Sequence, residues 1–181
     1  LDYGYPYKTL DITVKEDVKK IIEFYEPEII INCAAYTNVD KCETERELSW
    51  KINVDGVKNL IIAARRSDSR IIHFSTDYIF DGKNGPYSEV SVPNPISFYG
   101  REKLASENSL VTSDIKFSII RTLVLYGIGN NVKSNFALWM LEELRNNRPV
   151  NIVTDQISNV TMIDDLAFGT LKITEKGCIG I

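Results

Sequence analysis

From Val14 the apolar positions fall three and four apart, with Val14, Val18, Ile21, Ile22 and Tyr25 lining one side of VKEDVKKIIEFYE. That spacing predicts an amphipathic helix, with Thr13 as its N-cap and Glu16 three positions on. Pro27 breaks the pattern, and EIIINCAAY then gathers Ile29, Ile30 and Ile31 into a β-branched run that predicts a buried strand. Helical spacing returns through Ile52, Val54, Val57, Leu60, Ile61 and Ala64, where Gly56 marks a close approach rather than a break. RIIHFS, from Arg70, predicts the next strand. SFYGREKLASENSLVTS predicts the next helix, with Tyr99, Leu104 and Leu110 on its inward face. FSIIRT, from Phe117, predicts a strand; SNFALWMLEELRNNR a helix beginning near Ser134; VNIVTD a short strand; and MIDDLAFGTLKITE a helix with Asp164 or Asp165 near its start.

Short strands alternating with helices of three or more turns predict an α/β fold, a parallel sheet with helices on both faces joined by right-handed crossovers. One connection stands out. TDYIFDGKNGPYSEVSVPNPIS is rich in Gly, Pro, Asn and Ser and far longer than the usual four to six residues, a length that favours a functional loop. The lack of an initiating Met, and an apolar run that starts after Gly177 and stops at Ile181, predict that the chain is part of a longer one.

Composition narrows the classes. The 181 residues are 44% hydrophobic and 25% charged, ordinary globular values that suit one domain with a core. No apolar run approaches the roughly 20 residues of a membrane helix, so no membrane association is expected. A formal net charge of −4 without a basic block disfavours nucleic acid as a partner. Cys33, Cys42 and Cys178 match neither a disulfide framework nor a metal-ligand pattern, and no metal is expected. With no secretory pattern at the start, a cytoplasmic location is the default.

The strongest local chemistry is Tyr99-Gly100-Arg101-Glu102-Lys103. Residues four apart on a helix share a side, about 6 Å between β-carbons. A cation beside a phenol favours the ionised form and lowers its pKa, which suits proton exchange with an oxygen whose carbon gains or loses a hydride. YxxxK also arises by chance as a packed Tyr beside a solvated Lys, but Ser75 or Thr76 at the end of the preceding strand could reach the same oxygen. Strand ends of this kind are where open α/β sheets bind ligands.

Asn32-Cys33-Ala34-Ala35-Tyr36-Thr37 puts small residues after a strand, where a flat or phosphorylated ligand could approach the backbone, or a helix could simply pack. Leu10-Asp11-Ile12 sets an acid beside an apolar residue that could bracket an adenine. Gly127-Ile128-Gly129 lacks the third glycine of a phosphate fingerprint and reads as a turn. His73, the single histidine, reads as a core or sheet-facing residue, and Asp164-Asp165 as helix capping.

The blocks Asn32 to Thr37, Asp40-Lys41-Cys42-Glu43, Ser75 to Gly82, Pro93-Asn94-Pro95 and Tyr99 to Lys103 together resemble the dTDP-4-dehydrorhamnose reductase branch of the extended short-chain dehydrogenase/reductase family. The resemblance runs from about Leu10 to the C-terminal end. It implies a Rossmann-like fold whose first βαβ element would precede Leu1 and whose C-terminal part would follow Ile181. Residues 1–126 would form the partial dinucleotide-binding domain, and 127–181 part of the substrate-binding region interleaved with the last Rossmann elements.

It further implies NADPH or NADH as cofactor and reduction of the 4-keto group of a nucleotide-linked 6-deoxyhexulose. By position, Tyr99 would protonate the nascent alkoxide, Lys103 would bind the nicotinamide ribose and depress the Tyr99 pKa, and Thr76 would orient the carbonyl. Asp11, Ile12, Asn32, Ala34, Ala35, Tyr36 and Ser75 would line the cofactor track. Thr37, Asp40, Asp77, Tyr78, Val124 and Asn135 would lie toward the sugar. Family members often carry Trp where Val124 stands, and Gly-Ser-Pro where Ser158, Asn159 and Val160 follow Gln156. Two other readings share much of this pattern: a dinucleotide-binding regulatory partner of methionine adenosyltransferase, and a nucleotide-sugar epimerase or dehydratase. Trp50 and Trp139 suit either a homodimer interface or the core.

Overall fold

A computed structural model describes residues 7–129 and 135–181. The chain divides into two compact units, residues 1–120 with 179–181, and residues 121–178. The first unit is a Rossmann-like α/β fold, a parallel sheet flanked by helices. Its elements are α1 (Lys15–Tyr25), β1 (Ile29–Asn32), α2 (Val39–Thr44), α3 (Arg46–Trp50), a π-helical turn (Lys51–Asp55), α4 (Gly56–Ser67), β2 (Arg70–Thr76), a 3-10 turn (Asp77–Ile79), α5 (Phe98–Val111) and β3 (Phe117–Thr122), which runs up to the second unit. The second unit holds β4 (Leu125–Tyr126), α6 (Phe136–Arg145), β5 (Thr161–Met162) and α7 (Ile163–Lys176).

The sheet order is β1-β2-β3. β1 and β2 run parallel in a register that pairs Ile30 with Ile71 and Asn32 with His73. Because side chains alternate along a strand, Ile71, His73 and Ser75 share one face. That face carries the helices: Ile71 packs into one apolar cluster with Val18 and Ile22 of α1, Val57, Leu60, Ile61 and Ala64 of α4, and Leu110 of α5. The residues after Gly177 lengthen the sheet, with Gly180 bridged in parallel to Ser118 of β3.

Gly56 opens α4 against Ile12, whose side-chain carbons would lie 2.6 Å from an added Cβ, so the close approach read from the sequence is real. The strand expected at Ile29 exists but is only half-buried, with Ile31 43% exposed, because among the described residues β1 pairs with β2 alone. Thr13 is not the cap of α1. Its amide binds Asp11 Oδ1 at 2.8 Å, and the helix starts one residue later from Val14.

In the second unit β4 and β5 pair in parallel, Leu125 with Thr161 and Tyr126 with Met162. VNIVTD forms no strand; the pairing falls instead on Thr161–Met162, because β4 offers a ladder only two residues long. The expected helix start at Ser134 lies outside the described residues. α6 begins at Phe136, with the Asn135 side chain accepting from the Leu138 amide. α7 carries Asp164 and Asp165 in its first turn without a side-chain cap bond. No helix among the described residues is long and apolar enough to cross a membrane.

Candidate active site

α5 begins where two side chains satisfy amides that its first turn would otherwise leave bare. Ser97 Oγ accepts from the Gly100 amide at 3.0 Å, and Glu43 Oε1 of α2 accepts from the Phe98 amide at 2.7 Å. Gly100 then lies against the Tyr78 carbonyl, where any Cβ would collide with the oxygen. That contact fastens α5 onto the 3-10 turn that follows Thr76. It also sets the Tyr99 ring edge-on to Tyr78, 5.7 Å between centroids at 77°. The turn itself is tied by Thr76, whose Oγ1 accepts from the Tyr78 amide and donates to Asp77 Oδ1, both at 3.2 Å.

The long loop after this turn is built rather than slack. Asp81 accepts from the Tyr87 hydroxyl at 2.7 Å, the Asn94 amide group at 3.0 Å and the Lys83 backbone, and these donors hold its carboxyl down at about 2. Tyr87 stacks on Phe80 with ring centroids 4.3 Å apart. The Asp81-Gly82 and Asn94 portions of the sequence blocks are therefore loop staples.

Tyr99 and Lys103 are both buried on the sheet-facing side of α5. The expected lowering of the Tyr99 phenol is not found: burial first, then Cys42, Tyr78, Asp77 and Glu102, push it up to about 12. The physical reason is where Lys103 points. Its Nζ donates to the Phe74 carbonyl at 2.7 Å and lies 3.1 Å from His73 Nε2. Burial lowers this amine to about 8, against the pull of Glu107 and Glu102. Shared helical side did not mean shared charge, because a low-dielectric setting penalises the ionised form of each group.

Asn32, Ser75, Thr76, Asp77, Tyr78, Tyr99 and Lys103 thus gather at the carboxyl ends of β1 and β2 and the start of α5. Ser75 Oγ is buried there and finds no hydrogen-bond partner among the described residues. Ala34 is exposed, with Ala35 and Tyr36 half-buried, on the loop leaving β1, and Thr37 and Asp40 are exposed beyond them. Asp11 is exposed, its carboxyl lowered by the Thr13 backbone N–H, whereas the Ile12 side chain is buried in the apolar cluster.

In the second unit, Val124 has φ of 28°, a left-handed conformation rare for a β-branched residue. Asn135 spends its amide as the α6 cap and as a donor to the Gly127 carbonyl at 2.8 Å. Gly127 itself, at φ of 151°, leaves no room for a side chain, since an added Cβ would collide with Ile163.

Several residues beneath the site carry no sequence signal of their own. Glu102 is fully buried and accepts from Ser49 Oγ at 2.6 Å and Asn53 Nδ2 at 2.9 Å. Asn53 in turn grips Tyr36, its Oδ1 taking the Tyr36 amide at 2.8 Å and its Nδ2 reaching the Tyr36 carbonyl at 3.0 Å. Tyr36 also donates its hydroxyl to Glu45 at 2.5 Å, which holds the phenol up at about 12. Asn53 is buried in the π-helical turn. Charged and amide residues at helical spacing read as a solvated face, and only packing shows that this face is inside.

Against known proteins, a family model described as the RmlD substrate binding domain matches residues 3–180. The chain is 41% identical over 175 residues to a dTDP-4-dehydrorhamnose reductase of Aggregatibacter actinomycetemcomitans, covering 96% of this chain and 58% of that protein. Among solved structures, a dTDP-4-dehydrorhamnose reductase of Bacillus anthracis in complex with NADP matches with a TM-score of 0.90 and 35% identity, over 97% of this chain and 63% of the other. A dTDP-4-dehydrorhamnose reductase of Clostridium acetobutylicum matches with a TM-score of 0.87 and 40% identity, over 94% of this chain and 60% of the other. The chain therefore spans about three-fifths of the length of the proteins it matches.

Proposed function

The chain belongs to the RmlD substrate binding domain family, and from that premise we propose that it is part of an NAD(P)H-dependent reductase acting on the 4-keto group of a nucleotide-linked 6-deoxyhexulose, in the manner of dTDP-4-dehydrorhamnose reduction. The observation that carries the reading is the buried Tyr99 phenol, set against Tyr78 just past the carboxyl end of β2, with a buried lysine one turn on.

The residues present fit the ribose side of a nicotinamide dinucleotide. Ser75 offers a buried hydroxyl in need of a partner, Lys103 an amine at the strand end, and Ala34 and Ala35 a loop with little side chain between backbone and ligand. Lys103 and Ser75 would hold the cofactor's ribose and nicotinamide end, with Asn32 bracing the loop below. When bound, the reduced nicotinamide supplies a hydride to the carbonyl carbon.

The chain's own residues govern the proton. A phenol held up at about 12 stays protonated throughout the neutral range, so Tyr99 stands ready to donate to an oxygen that becomes an alkoxide. Its burial keeps water from competing for that transfer. The Thr76 hydroxyl donates to Asp77, and by turning from that carboxylate it would give the substrate oxygen a second hydrogen bond. Burial lowers the Lys103 amine to about 8, and its loss of charge above that pH weakens its hold on a ribose oxygen. The nucleotide-linked substrate and reduced cofactor suit a cytoplasmic enzyme.

Tyr99→Phe is the decisive test. It removes the proton donor and preserves the ring against Tyr78, so turnover should fall by about 10² or more with cofactor affinity nearly unchanged. Steady-state oxidation of NAD(P)H with dTDP-4-keto-6-deoxy-L-mannose reads both quantities. Near-normal turnover in the variant would overturn the proposal.

A further inference from the structure

His73 lies within the same cluster, and neither the family resemblance nor the proposed chemistry gives it a task. We propose that His73 is a positioning residue: a neutral imidazole, its tautomer set by Asn32, fixes where the Lys103 amine sits at the end of β2. The inference deepens the reductase reading and rests on it for the role of Lys103.

The hydrogen bonds to Asn32 and Ser106 share one polarity around the ring. Asn32 Oδ1 accepts from the Ala34 amide at 3.1 Å, which fixes the side-chain amide so that its Nδ2 faces His73 Nδ1, also at 3.1 Å. An Asn nitrogen only donates, so Nδ1 accepts and the single proton of a neutral ring lies on Nε2. On the other side, the Ser106 hydroxyl gives its hydrogen to the Lys103 carbonyl at 2.7 Å, which leaves its oxygen to accept from His73 Nε2 at 3.0 Å. The sequence from the Ala34 amide through Asn32, His73 and Ser106 to the Lys103 carbonyl is thus a directed run of donors and acceptors with no slack.

A second proton on the ring would have to occupy Nδ1 and face the Asn32 N–H groups. His73 is 1% exposed, so bulk water does not reach that proton. Burial and the nearby Lys103 hold its pKa well below the usual value, in the same direction.

The consequence falls on Lys103. Its Nζ meets the Phe74 carbonyl on one side and the Nε2 edge of the ring on the other. The ring cannot accept from an ammonium there, because Nε2 already carries hydrogen. It acts as a wall, and the carbonyl as the anchor. The charged groups facing the amine, Glu102 and Glu107, come from its own helix, and the neighbour supplied by the strand is this uncharged ring. Removing the ring would open space beside the amine, so that the Phe74 carbonyl would hold it in a less defined position, without changing the carboxylates behind it.

Two variants of the complete gene product test this, His73→Leu and His73→Gln. A Gln amide can present an oxygen to Asn32 and an N–H to Ser106, whereas Leu presents neither. His73→Leu should raise KM for NAD(P)H by roughly tenfold, the scale of a lost hydrogen-bonding position, with a smaller effect on kcat, and His73→Gln should recover most of the loss. A purely structural role would lower the folded fraction and leave KM where it was.

Nitrogen NMR of the ring provides a reading independent of turnover. The wild-type signal should be the neutral Nε2–H tautomer from about pH 6 to 8, the range over which an ordinary histidine titrates. If His73→Leu does not fold, the NMR tautomer and the KM of His73→Gln and Ser106→Ala still decide. An Nδ1–H ring, an imidazolium at neutral pH, or a KM insensitive to all three substitutions would overturn the proposal. Undiminished turnover in Tyr99→Phe would instead sink the reductase reading while leaving the ring's polarity as measured.

Discussion

α4 and α5 lie on the same face of the sheet, both touching β2, and they bury opposite chemistry. α4 turns Val57, Leu60, Ile61, Ala63 and Ala64 inward and keeps Lys58, Arg65 and Arg66 outside. α5 turns Glu102, Lys103, Ser106 and Glu107 inward alongside Tyr99 and Leu110, while Leu104 is only half-buried. The first arrangement stabilises the fold, each fully buried aliphatic side chain contributing about 1.5–3 kcal/mol. The second draws on that stability, since buried charges cost free energy unless every one is hydrogen-bonded. The lesson is a division of labour along a single strand. Ile71 meets the apolar helix, and His73, two residues on and on the same face, meets the polar one.

The largest expected effect lies on the α4 side. Leu60→Ala should cost about 2–5 kcal/mol, the range for truncating a buried aliphatic side chain, and the shift in denaturant midpoint measures it. Turnover per folded molecule should stay at the wild-type value; a specific loss of kcat would blur the distinction between the two helices.

On the α5 side the expected signature is pH-dependent. The Lys103 amine is depressed in the folded state, from 10.5 to about 8, so the unfolded chain binds more protons between those values and folding stability rises with pH across that window. The contribution is complete above pH 10.5 and is lost as pH falls through 8. Lys103→Met should abolish this rise, read as the difference between the two stability curves. Parallel curves from pH 8 to 10 would show that the amine is not held in a dry site.

Glu102→Gln comes next. It replaces an oxygen that accepts from Ser49 or Asn53 with a nitrogen that can only donate, and should cost about 1–3 kcal/mol by urea melts. A companion rise in cofactor KM is expected, because Asn53 holds Tyr36. The smallest effect belongs to the outer surface. Arg65 of α4 pairs with Asp114 beyond α5 at 3.5 Å, both well exposed, and Arg65→Ala should leave stability within about 0.5 kcal/mol of wild type. A larger loss would mean that the exposed sides of the two helices matter as much as their buried ones.

Much of this was legible in the chain itself, and the failures share a cause. Apolar spacing located α1 and α4, because one side of each must differ from the other. Runs of β-branched residues located β1, β2 and β3. VNIVTD failed because a strand exists only where a partner offers its edge, and β4 offers that edge to Thr161–Met162. Leu104 failed as an inward position because its helix was oriented by Glu102, Ser106 and Lys103, whose partners lie as far as 53 residues away in sequence. Thr13 failed as a cap by a single residue, taken over by the Asp11 side chain.

Taken alone, the order of residues determined that Tyr99 and Lys103 share a helix side, since a separation of four is a local property of 3.6 residues per turn. It also determined the alternation of strands and helices, and through its sequence blocks the family. Only the tertiary structure decided that this side faces inward, that the phenol rises instead of falling, and that His73 is buried between Asn32, Ser106 and Lys103. Those outcomes depend on dielectric and on hydrogen-bond partners brought from distant parts of the chain, and neither exists until the chain has folded.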